Sequence, residues 1–121
     1  MRLFKVDNPV FKLEVLFCMD CNYESMREYM NRRFRLQIPE CDDHQQILGT
    51  SFTFGKPPWR VVWVRYARHT AVIVHEIVHL VTRICQDRGV PVVSHHPNGE
   101  SGDETLAYLI EFLFAGSHQT T

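Results

Sequence analysis

The chain has 121 residues, 45% of them hydrophobic and 22% charged, with a formal net charge of −1. That composition fits one globular domain over residues 1–121 with its own core, and it leaves little room for a second core. It gives no support to nucleic-acid binding through phosphate neutralisation, and no apolar run approaches the ~18 residues needed to span a bilayer.

Met1 to Asp7 lacks the continuous apolar stretch of a secretory signal, so a cytoplasmic protein is expected, in its own cell or in a host. The first strand is expected within Val10 to Met19, where apolar residues alternate at short period. Tyr23 to Phe34 places Met26, Tyr29, Met30 and Phe34 near helical spacing, which predicts an amphipathic helix capped by Asn22. Arg27, Arg32, Arg33 and Arg35 read as a solvated helix end. Leu36 to Ile38 is extended ahead of Pro39, and Glu40, Asp42 and Asp43 form an acidic turn.

Ile47 to Phe54 reads as a further strand, broken by Gly55-Lys56-Pro57-Pro58. Trp59 to Tyr66 is the strongest β segment, being almost wholly β-branched or aromatic. A helix is then predicted from His69 or Thr70 to Arg88, with Gly89 and Pro91 ending it. Val90 to Gly102 is a loop, and a last helix runs from near Ser101 through Phe114 to Gly116. Strands followed by two helices predict an α+β fold, with a small antiparallel or mixed sheet packed on helices.

Four cysteines raise the question of a second metal site or a disulfide. Cys18-Met19-Asp20-Cys21 has the spacing of half a zinc ribbon, but no second pair of that spacing exists. Cys41 lies between Glu40 and Asp42, which disfavours its thiolate, and Cys85 falls in apolar company on the second helix. Free structural thiols in a reducing compartment are the expectation.

The chemistry concentrates in His75-Glu76-Ile77-Val78-His79. Histidines at i and i+4 share one helix face, so two imidazoles can hold one zinc ion with a glutamate beside it as general base. Chance alone gives this pattern in roughly one such chain in forty, so the flanks matter more than the motif. Val72 to Val81 is polar only at the three motif positions. An ordinary surface helix carries charges along one face, so this one has to bury its His and Glu against something that justifies it. Core histidines satisfied by hydrogen bonds are the competing account.

The motif and its uncharged flanks resemble the zincin metallopeptidases. The segment Gly102-Asp103-Glu104-Thr105-Leu106-Ala107-Tyr108 looks like the glutamate helix of the gluzincin group, and the pattern is similar to small phage-encoded proteins carrying HExxH. The likeness spans roughly Trp59 to Ala115 and implies a minimal zincin-like domain with His75, His79 and Glu104 as zinc ligands. It also implies a small residue three positions after the ligand, here Ala107, for close helix approach. Ser101-x-x-Glu104 equally fits a capping box, with Glu104 bonded to backbone. Asp103, Glu111, His95 and His96 are the other candidates for a ligand or for orienting one.

On this reading Glu76 is the general base and Tyr108 a candidate catalytic donor to a developing oxyanion, with a core tyrosine as the alternative. The expected reaction is zinc-dependent hydrolysis of a peptide or protein substrate, with neither membrane nor nucleic acid as partner. By the same resemblance the strand at Trp59 to Tyr66 would border the cleft and receive an extended peptide by strand addition. Zincins usually carry a second subdomain, for which this length leaves no room. A non-enzymatic zinc-stabilised interaction protein, such as a phage factor binding a host protein, is therefore the alternative.

Overall fold

The computed structural model describes residues 1–40, 47–55, 58–89 and 102–118, with side chains of the last span given from Leu106 onward. It is an α+β domain in which helices cover both faces of one mixed sheet. The strands are β1 (Arg2–Asn8), β2 (Leu13–Met19), β3 (Gly49–Phe54) and β4 (Trp59–Val64), and the helices are α1 (Tyr23–Phe34), α2 (Thr70–Asp87) and α3 (Gly102–Ser117). Spatial order is β1-β2-β4-β3. β1 pairs antiparallel with β2, β2 pairs parallel with β4, and β3 pairs antiparallel with β4.

β1 has no counterpart in the sequence-based reading, which placed its first strand at Val10 to Met19. Lys12 at φ 53° ends the turn after Pro9, so pairing resumes only at Leu13, opposite Asn8. Phe4 and Val6 face the core, with Phe4 stacked on Phe17 at 5.3 Å between ring centroids. β4 also departs from its expected role. It lies between β2 and β3 with both edges paired, so it has no edge left for a peptide. Among the described residues β3 pairs only with β4 and is an edge of the sheet.

Alternation along the strands divides the interior in two. Val15, Phe17 and Met19 of β2, with Val62 and Val64 of β4, face α2 and α3. Leu16, Cys18, Val61 and Trp63 face the other way and meet Tyr23, Met26 and Met30 of α1. α1 begins as expected, the Asn22 side chain accepting the Ser25 backbone N–H at 2.8 Å. Its Arg27 is no free surface charge: it pairs with Glu24 at 2.7 Å and Glu40 at 3.2 Å.

α2 buries Ile73, Ile77, Leu80, Val81 and Ile84, a stripe at helical period. Each such side chain contributes about 1.5–3 kcal/mol when removed from water. Gly89 at φ 71° follows the helix and donates to Gln86 O at 3.2 Å, a turn that glycine enters without a Cβ penalty. Among the described residues no helix is long and apolar enough to cross a membrane.

α3 docks through Leu109 and Leu113, both buried, and through Gly116 against β1. A Cβ at position 116 would stand 2.7 Å from Val6 Cγ1 and 2.9 Å from Cγ2. Valine is stiff about χ1, so relief has to come from moving the strand or the helix. Gly116→Ala should therefore lower stability by about 1–3 kcal/mol in urea unfolding, although alanine is intrinsically the better helix former. An unchanged or raised midpoint would show that α3 does not seat here.

Candidate metal centre

The convergence of His75 and His79 is the central geometric feature of the molecule. α2 keeps an unbroken helical course from Thr70 to Asp87, so residues four apart stack on one face. Their Nε2 atoms are 3.1 Å apart, with ring centroids at 4.5 Å and planes at 80°. Two nitrogens bound at about 2.0–2.1 Å to a tetrahedral zinc stand about 3.3 Å from one another. The pair thus fits two corners of such a site, and one ring donating to the other accounts for the same spacing when no ion is held.

Both histidines are exposed, which corrects the expectation of burial for all three motif residues. The apolar helix solves its burial problem by rotation. Its stripe from Ile73 to Ile84 faces the sheet, and the imidazoles occupy a face that the sheet leaves open. Glu76, one position on from His75, is the buried member, with 8% of its surface accessible. Burial pushes its carboxyl above the usual range, and the nearby His75, His79 and Arg83 pull in the opposite direction.

Glu76 is held where α2 meets the start of β3. A cleft of about 430 Å³ is lined there by Ile47, Leu48, Gly49, Ala71, Val72, His75 and Glu76. Its lip is fixed by Arg65, whose backbone N–H donates to Leu48 O at 2.9 Å and whose Nε donates to Ile47 O at 3.2 Å. The cleft wall depends on Gly49, where a Cβ would meet Val72 Cγ1 at 2.8 Å, Glu76 Cγ at 3.1 Å and Trp63 O at 3.1 Å. Sequence reasoning passed over Gly49. The signal available was the run of small residues Gly49, Ser51 and Thr53 on one face of β3, which marks a strand that a helix approaches closely.

Tyr108, Ala107 and Glu111 fall elsewhere. Tyr108 is on α3, its hydroxyl 3.4 Å from Asn8 Nδ2 and its ring 5.9 Å from Phe11. Neither neighbour borders the cleft at His75 and Glu76, so the tyrosine sits at the β1–β2 turn. Ala107 is exposed, and α3 buries Leu109 and Leu113 instead, so the close approach expected at Ala107 is not made there. Glu111 is exposed as well. Glu104 falls within α3, but its side chain and that of Asp103 lie outside the described residues, as do His95, His96 and Ser101. Among the described residues no group of three or more His, Cys, Asp or Glu side chains is placed to hold a metal ion.

No family model, curated protein or solved structure matches this chain.

Because Gly49 has backbone on one side and Glu76 on the other, Gly49→Val should part β3 from α2 locally. A loss of about 1–3 kcal/mol in chemical unfolding is expected. Wild-type stability in that variant would mean the cleft wall is looser than its contacts imply.

Proposed function

We propose that this chain is a zinc-dependent hydrolase, and in its simplest form a minimal gluzincin-like metallopeptidase. The observation that carries the reading is the pairing of two converging exposed imidazoles with a buried, desolvated carboxylate beside them at an open cleft. A purely structural zinc site needs no general base beside it and is usually closed by a fourth protein ligand.

His75 and His79 would hold the ion, with Glu104 as the third ligand. Zinc supplies Lewis acidity in such a site, polarising a carbonyl and acidifying water. Glu76, buried beside His75 at the cleft, would take a proton from the attacking water and return it to the leaving amine. The edge strand β3 begins at Gly49 on the cleft wall, so an extended peptide would lie along β3 rather than along β4. Tyr108, in the position it occupies against Asn8, takes no step in this scheme.

Metal analysis of the purified protein should find zinc bound in about equimolar amount, and His75→Ala or His79→Ala should abolish it. Glu76→Gln should retain the metal while peptide hydrolysis falls by about 10²–10⁴-fold. Complete zinc occupancy in Glu104→Ala would remove Glu104 from the ligand set. A zinc-loaded wild type that cleaves nothing in a diverse peptide library would instead favour a zinc-stabilised interaction module.

A further inference from the structure

The second reactive cluster lies on the opposite face of the sheet from His75 and His79. Cys18 and Cys21 bring their sulfurs to 3.7 Å from each other. Cys18 is fully buried on β2, on the face covered by α1, whereas Cys21 is half-buried and immediately precedes the Asn22 cap of that helix. Between them Asp20 adopts φ 60°, the left-handed conformation that turns the chain back on itself. The turn is clamped at three points. Asp20 N–H donates to Val64 O at 3.2 Å, Ala67 N–H donates to Asp20 Oδ1 at 2.8 Å, and Trp63 Nε1 donates to Cys21 O at 3.1 Å. A cleft of about 370 Å³, lined by Asp20, Cys21, Asn22, Arg65 and Tyr66, opens on Cys21.

We propose that Cys18 and Cys21 form a thiol–disulfide exchange site, in which Cys21 attacks a low-molecular-weight disulfide and Cys18 resolves the adduct into a Cys18–Cys21 disulfide. One sulfur is reachable and the other is shielded but adjacent, which is the division of labour such a sequence of steps requires. In the first step Cys21 gives its proton to solvent and its thiolate attacks one sulfur of R–S–S–R. The old sulfur–sulfur bond breaks, a mixed disulfide forms, and the departing thiolate is protonated to R–SH. In the second step Cys18 loses its proton and attacks the Cys21 sulfur, and a second R–SH leaves. Two protein thiols are oxidised and one small disulfide is reduced to two thiols, with no further reactant.

The electrostatics run in the direction the chemistry needs. Hydrogen bonding with the Cys18 thiol brings Cys21 down to about 7 against its partial burial, while the same contact and desolvation push Cys18 up. An attacking thiol works best with a pKa near the ambient pH. The structural part is short, since the sulfurs need only close from 3.7 Å to the ~2.05 Å of a disulfide bond.

The test uses the intact protein, equilibrated anaerobically in glutathione buffers of graded oxidised-to-reduced ratio and quenched with an alkylating agent. Peptide mapping of the wild type should find a Cys18–Cys21 bond in the oxidising buffers, reversed by excess reduced glutathione. Cys18→Ser should accumulate a mixed glutathione disulfide on Cys21. Cys21→Ser should leave Cys18 at least about tenfold slower to alkylate than Cys21 is in the wild type. The wild-type measurement decides the matter without either variant. Both thiols remaining free throughout the series overturns the proposal, and so does a bond from either of them to Cys41 or Cys85.

Discussion

The contact between α2 and the first residue of β3 governs the rest of this structure. With no side chain at Gly49, strand and helix approach until Val72 and Glu76 fill the space a Cβ would have taken. That approach sets the rotation of α2 about its axis. Once Ile73, Ile77 and Leu80 face the sheet, His75 and His79 must face away from it, and Glu76 must fall at the seam between helix and strand. A bulkier residue at 49 would move one wall of the cleft and the buried carboxylate together.

Three polar residues within about one turn of one helix consequently live in different dielectric surroundings. The imidazoles are exposed, which leaves them open to an ion. The carboxylate lies within protein, where losing a proton is costly. His75, His79 and, one turn beyond, Arg83 partly offset that cost, and the Arg83 guanidinium also reaches to 3.5 Å from Ser51 O on β3. Glu76 is therefore the residue at which helix, edge strand and charge meet.

Local chemistry was legible in the sequence where it is decided locally. The bounds of α1 and its Asn22 cap, the strand character of Trp59 to Val64 and the glycine stop after α2 follow from propensity, capping and backbone conformation. What was not legible depends on non-local pairing. That β4 is interior and β3 is the edge is fixed by which strands meet, and no residue of Trp59 to Val64 announces its neighbours. The exposure of His75 and His79 likewise depends on where α2 is tangent to the sheet. β1 was missed although Phe4 and Val6 alternate with Lys5 and Asp7, because only those two core-facing apolar residues mark a strand whose partner, β2, is set by pairing. The candidate site was thus readable as a set of residue types, but its rotation and its depth were not.

The sheet also separates two chemistries that would interfere if mixed. Thiolates are strong zinc ligands, and a Cys-x-x-Cys pair beside two imidazoles would close a tetrahedron with four protein donors and leave no position for water. Here Cys18 projects from β2 towards α1, while its neighbours Phe17 and Met19 project towards α2 and α3. The alternation of a single strand therefore places the Cys18 thiol on one side of the sheet and the imidazole pair on the other. Cys85, the thiol that α2 itself carries, is buried in that helix's apolar stripe, and desolvation pushes it up, away from the thiolate form that a metal requires. An ion held by His75 and His79 would meet no competing sulfur among the described residues, and that condition is what an open, hydrolytic site needs.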